Sequence, residues 1–143
     1  MQPILHLSIP VRDLDEAREF YVHTLGCQPA RARAGFTDVW FYGMQVTLQD
    51  RPREAAPAGG GSRHFGVTLG RVDFEAMVAR LGSHGVDWVV PVSTDDTGLP
   101  TEQTKGKIAD PSGNVIELKT YRDVDAALEI SNHSYPEAFA HGN

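Results

Sequence analysis

Cysteine is nearly absent from this chain of 143 residues, where Cys27 stands alone. No internal disulfide can form. Stability must come from packing, helped by a bound metal or a partner subunit, and a reducing, cytoplasmic compartment is the expectation. Long apolar runs are missing as well. None approaches the roughly 18 residues that a membrane-spanning helix needs. Met1-Gln2-Pro3-Ile4 lacks the basic and apolar regions of a secretory leader, so no membrane partner is expected. Basic charge is short too: 13 Lys and Arg face 19 Asp and Glu, a net charge of −6. Without a basic stripe, nucleic acid is excluded as the expected partner. Apolar residues at 41% and charged residues at 22% match ordinary globular usage, which excludes a wholly disordered or collagen-like chain. The length suits one compact domain over residues 1–143.

What is present is a pattern that occurs twice. Ile4 to Val11 alternates as a strand, with Leu5, Leu7 and Ile9 on one side and His6 and Ser8 on the other. Asp13 with Glu16 forms a capping box for a helix striped by Leu14, Ala17, Tyr21 and Leu25, stopped at Gly26. Strands are predicted near 28–34, 36–42 and 44–49. Arg51 to Ser62, with Pro52, Pro57 and Gly59-Gly60-Gly61, reads as a linker. The pattern then restarts. His64 opens an alternating strand to Leu69, Asp73 is the expected cap of a helix striped by Phe74, Met77, Val78 and Leu81, and Gly85 ends it. Strands are predicted near 87–92, 105–109 and 115–121, the last two joined by the turn Asp110-Pro111-Ser112-Gly113-Asn114. The fold class is therefore α+β, with two βαβββ modules at about 4–50 and 63–121 and a tail from 122 to 143 holding a short helix near 124–130.

Each predicted sheet has one apolar face for its helix and one polar face. The polar positions are His6 and Ser8, then Gln45, Thr47 and Gln49, then His64, Gly66 and Thr68, and finally Glu117, Lys119 and Tyr121. If the sheets curl, these faces enclose a polar cup. Two histidines and a carboxylate on it suggest a triad of His6, His64 and Glu117, a donor set suited to Fe(II), Mn(II), Ni(II) or Zn(II) with positions left open. From residues alone, each histidine can equally be a hydrogen-bonded structural residue. His23, His84, His133 and His141 lie on an exposed helix face, at a helix end or in the tail, and are set aside as ligands. Nothing marks Cys27 as a nucleophile. Of Trp40, Phe41 and Tyr42, some are expected in the core and others on the cup wall. Ser93 to Gln103 is expected to form a loop that covers the cup.

Four stretches then carry a resemblance: His6-Leu-Ser-Ile-Pro-Val-Arg-Asp-Leu14, Glu19-Phe-Tyr21 with Leu25-Gly26, His64-Phe-Gly-Val67, and Asp110-Pro-Ser-Gly-Asn-Val-Ile-Glu-Leu118. In order and spacing the chain resembles the vicinal oxygen chelate superfamily, the glyoxalase, bleomycin-resistance and dioxygenase family, over about residues 4–121. The resemblance implies paired modules around one divalent metal per chain, with His6, His64 and Glu117 at the ligand positions. It also implies a homodimer in which His6 serves the partner's His64 and Glu117. Glyoxalase I enzymes add a carboxylate where this chain has Thr47. Extradiol dioxygenases and fosfomycin-resistance thiol transferases place a tyrosine where this chain has Lys107. Bleomycin-resistance members, which sequester a ligand, lack the triad. The implied activity is that of a metal-dependent enzyme on a small molecule that chelates through neighbouring oxygens. A dioxygenase-like use of Fe(II) is favoured, with a lyase, isomerase or thiol transferase using Mn, Ni or Zn, or a sequestering protein, as alternatives. Lys107, Thr47 and Tyr121 are the catalytic candidates. Ser8, Gln45, Gln49 and Lys119 are the candidates for substrate binding.

Overall fold

The computed structural model describes residues 4–55 and 63–128. Both modules form as expected. The first runs β1 (His6–Val11), α1 (Leu14–Glu19), β2 (Gln28–Arg33), β3 (Phe36–Phe41) and β4 (Met44–Asp50). The second runs β5 (Phe65–Thr68), α2 (Arg71–Ser83), β6 (Trp88–Asp95), β7 (Gln103–Ala109) and β8 (Val115–Tyr121), followed by α3 (Val124–Leu128). The sheets repeat one topology, β1-β4-β3-β2 and β5-β8-β7-β6, each with a parallel pair beside antiparallel hairpins. Neither sheet closes on itself.

The register makes the duplication explicit. Ser8 pairs with Thr47 and Asp38 pairs with Thr47, while Gly66 pairs with Glu117 and Lys107 pairs with Glu117. Thr47 and Glu117 thus hold equivalent places, as do His6 and His64. Inward-facing Ile9, Val11, Val39, Phe41, Val46 and Leu48 pack beneath the first helix; Ile108, Ile116 and Leu118 do the same in the second module. One apolar cluster runs through both modules. Phe41 meets Phe65 edge-on with ring centres 5.6 Å apart. Trp40 and Tyr42 do not line either half-cup: Trp40 is half-buried beside Leu25, Cys27 and Met77 in a separate cleft, and Tyr42 follows β3 at φ 48°.

Several boundaries differ from the sequence reading, each for a local reason. Asp13 caps α1 as expected, accepting from the Glu16 amide at 2.7 Å. The Glu16 carboxylate instead pairs with the Arg12 guanidinium, at 2.5 and 2.8 Å, so the capping box is only half made. The helix does not continue regularly to Leu25. Phe20–Thr24 is a π-helical turn in which the Leu25 amide reaches back to the Phe20 carbonyl at 2.9 Å. Asp73 does not cap α2. The helix starts at Arg71 after Gly70, and Asp73 sits in its first turn, where a carboxylate suits the dipole. The expected loop from Ser93 to Gln103 is shorter, because β6 runs to Asp95 and β7 starts at Gln103. Its tip is pinned: the Arg122 guanidinium donates to the Gly98 carbonyl at 3.0 Å, and the Gly98 amide donates to Glu102 Oε2 at 2.7 Å. It is a tied hairpin end rather than a free cover. Gly59-Gly60-Gly61, His133 and His141 lie outside the described residues.

The 110–114 turn joins the modules. Asp110 is buried and accepts from the amides of Ser112 and Asn114, from the Asn114 side chain, and from the Tyr21 hydroxyl at 2.9 Å. Asn114 also donates to the Pro10 carbonyl, and the Arg12 amide donates to Ser112 Oγ, both at 2.9 Å. Arg80 of α2 donates to the carbonyls of His23 and Thr24 at 2.8 Å each, closing the end of the first helical segment. Through these bonds the turn ties β8 of the second module to β1 and the first helical segment.

One buried polar atom in β8 has no such partner. Thr120 is fully buried, and its hydroxyl makes no hydrogen bond among the described residues. Removing an unsatisfied hydroxyl without changing shape is close to neutral or favourable. Thr120→Val is expected to raise unfolding free energy by about 1 kcal/mol, read by urea denaturation.

Candidate functional site

The two half-cups present different chemistry. In the second module, His64 immediately precedes β5, and Glu117 is on β8 beside it. His64 Nε2 lies 2.8 Å from Glu117 Oε2. Glu117 is buried, and the lysines on either side of it bring their ammonium groups to 3.7 Å: Lys107 on Oε2 and Lys119 on Oε1. Lys119 also sits 5.9 Å from the Tyr121 ring centre. A cavity of about 220 Å³ is lined by His64, Gly66, Thr68, Glu117 and Lys119.

Gly66 makes this proximity possible. A Cβ there would fall 1.9 Å from the Glu117 carbonyl oxygen. Any side chain would push β5 off β8 and separate His64 from Glu117.

The first half-cup contains His6, exposed at the start of β1. It lines a different cavity, of about 480 Å³, with Ser8, Thr47 and Gln49. Gln49 donates to the Ser8 hydroxyl. Within one chain the structure brings together His64 and Glu117 but not His6. Among the described residues, no group of three His, Cys, Asp or Glu is arranged to hold a metal. The chemistry of the second half-cup still fits one. An imidazole nitrogen and a carboxylate oxygen converge within hydrogen-bond distance at the edge of a polar cavity, which is two-thirds of a facial donor set.

The sequence reading missed Asp38. It lies on β3 next to Thr47 and is fully buried. Thr47 donates to its Oδ1 at 2.7 Å. Arg31 and Gln45 donate to its Oδ2 at 2.6 and 3.0 Å. Gln45 is therefore committed to Asp38 instead of facing the cavity, and Thr47 is spent as a donor. Burial pushes the Asp38 carboxyl up, but the bonds from Thr47, Arg31 and Gln45 more than offset it and hold it below the usual carboxylate value. The signal available in sequence was a lone acid in mid-strand between Thr37 and Val39, with arginine on the preceding strand.

A lowered folded-state value fixes the sign of the pH dependence. The stability that ionised Asp38 contributes is fully present above the unfolded value, about 3.9, and is lost as pH falls through the folded one. Asp38→Asn should therefore have a flatter profile of Tm against pH below about pH 4 than the parent chain, measured by calorimetry.

Other candidates stay outside the chemistry. Cys27 is buried, and burial pushes its thiol up to about 12, which makes it a poor nucleophile. His23 is exposed and lies 3.5 Å from Glu19. His84 caps the end of α2. No helix among the described residues is long and apolar enough to cross a membrane.

Comparison with known proteins places the fold and the family. No curated protein sequence matches the chain. Among solved structures, a glyoxalase/bleomycin resistance protein/dioxygenase from Alicyclobacillus acidocaldarius is 33% identical, with a TM-score of 0.79 over 88% of this chain and 96% of that one. Two others share the fold alone. The fosfomycin resistance protein FosX from Listeria monocytogenes is 12% identical with a TM-score of 0.69, covering 84% of this chain and 93% of that one. A glyoxalase/dioxygenase from Nostoc punctiforme is 16% identical with a TM-score of 0.65, covering 85% and 92%. The family model for the Glyoxalase/Bleomycin resistance protein/Dioxygenase superfamily matches residues 3–118, from the first strand through Glu117, and the chain belongs to that superfamily.

Proposed function

We propose that the protein is a metal-dependent enzyme acting on a small substrate with two neighbouring oxygens. His64 and Glu117 of one subunit and His6 of the partner subunit would hold one divalent ion. The observation that carries this reading is the 2.8 Å approach of His64 Nε2 to Glu117 Oε2, with His6 exposed in a separate half-cup of the same chain. Two half-cups from different subunits, packed face to face, would complete the donor set. The bound ion would supply Lewis-acid or oxygen-activating chemistry, with Fe(II) favoured and Mn(II), Ni(II) or Zn(II) as alternatives.

The chain's own residues would then do four things. Glu117 supplies the negative charge, and Lys107 and Lys119 orient its two oxygens. Lys107 Nζ carries protons at the cup wall and can hold one against an anionic substrate oxygen. Thr47 supplies no ligand and no base, because its hydroxyl donates to Asp38. Ser8 and Gln49 form a polar pair that can turn toward a bound substrate.

The state of Thr47 favours a dioxygenase-like reaction over the glyoxalase I reaction, which would need a carboxylate at that place. With Fe(II) supplied, oxygen uptake on adding a catechol is expected. Isomerisation of the glutathione–methylglyoxal adduct is expected to be negligible with Ni(II), Zn(II) or Mn(II). Robust glyoxalase turnover lost in His64→Ala would move the reading to the lyase branch.

A further inference from the structure

The first half-cup contains a guanidinium held in place before any ligand arrives. Arg31 Nε donates to buried Asp38 at 2.6 Å, and the guanidinium lies 5.1 Å from the Phe36 ring centre. Two contacts on different sides fix its plane, so little side-chain freedom remains to be lost on binding. The remaining nitrogens make no other hydrogen bond among the described residues, and the side chain is 57% exposed. Arg31 lines the 480 Å³ cavity with His6, Ser8, Thr47, Gln49 and Arg51.

The charges in this cavity do not cancel. Asp38 cannot meet a ligand, because its side chain is 2% exposed and both oxygens are already used. It acts only as a clamp on Arg31. A ligand would face two guanidinium groups and the donors of Ser8 and Gln49, in a protein whose net charge is −6. A local positive site on an acidic protein selects anions, and a fixed guanidinium fork matches the paired oxygens of a carboxylate or phosphate.

We propose that the first half-cup receives an anionic group of the substrate, a carboxylate or a phosphate, and that Arg31, aimed by Asp38, is the residue that selects it. The assignment of this group to the substrate rests on the shared cup proposed above. Anion capture by Arg31 does not, and it can be read without metal.

The test is side-chain NMR of the ¹⁵N-labelled full chain, following the Arg31 Nε–H signal. The probes are propionate, methyl phosphate and neutral propionamide, each titrated with and without Zn(II). A saturable shift with one or both anions and none with propionamide is expected. The stronger anion identifies whether carboxylate or phosphate is preferred. Arg31→Lys, which keeps the charge and the partner of Asp38 but loses the fork, should weaken anion binding about tenfold, as read at the Gln49 side-chain amide. Asp38→Asn, which removes the charge of the clamp, should weaken it several-fold in the absence of metal. Equal shifts with propionamide, or unchanged affinity in Arg31→Lys, would overturn the inference. Failure to take up Zn(II), with the anion response intact, would instead count against the metal reading alone.

Discussion

Replacing His64 with alanine is expected to lower divalent-metal affinity at least about a hundredfold. Altering even groups that only support a ligand typically costs 10–100-fold, and His64 is one of just two candidate ligands that a single chain brings together. The substitution removes the imidazole donor while the two ammonium groups beside Glu117 stay in place, so nothing compensates for the lost ligand. Equilibrium dialysis with Zn(II) or Mn(II) reads the effect. Affinity in the parent chain should also fall toward acid pH, because protons compete with the metal for imidazole. Wild-type stoichiometry and affinity in His64→Ala would remove His64 from the donor set.

The second large effect is complementation. A His6→Ala chain and a Glu117→Gln chain should each bind metal poorly when alone. In a mixed dimer with shared sites, His6 of the Glu117→Gln chain meets the intact His64 and Glu117 of the other. One good site is rebuilt and the second is doubly damaged. After random reassortment half the dimers are mixed, so about a quarter of the wild-type sites should reappear. A site contained within one chain would recover none. Light scattering of the parent protein at micromolar concentration should give a dimer. A metal-loaded monomer would refute sharing and remove His6 from the donor set, leaving only His64 and Glu117 as assigned ligands.

Much of this was legible in the residues because period and punctuation agreed. Alternation placed His6 and Ser8 opposite Leu7 and Ile9, and Gly26 and Gly85 ended their helical segments with φ of 78° and 67°. The repeated histidine exposed the duplication. What could not be read was anything decided by pairing across strands. β3 has Phe36, Asp38 and Trp40 on one side and Thr37, Val39 and Phe41 on the other, so its pattern does not say which side is covered. Only the register against β4 buries Asp38 beside Thr47. The π-helical turn was equally hidden. Its stripe of Tyr21 and Leu25 suits a regular helix, and the bond from Tyr21 to Asp110 spans 89 residues of chain. The separation of His6 from His64 within one chain is a tertiary fact to which strand patterning is blind.

The most direct test of the central claim is elemental analysis of protein purified without a metal-affinity tag, dialysed against a mixture of Fe(II), Mn(II), Ni(II) and Zn(II) under argon. The account predicts about one divalent ion per chain, lost in His6→Ala, in His64→Ala and in Glu117→Gln alike. Retention of one ion per chain in all three variants, or no uptake by the parent protein, would contradict it.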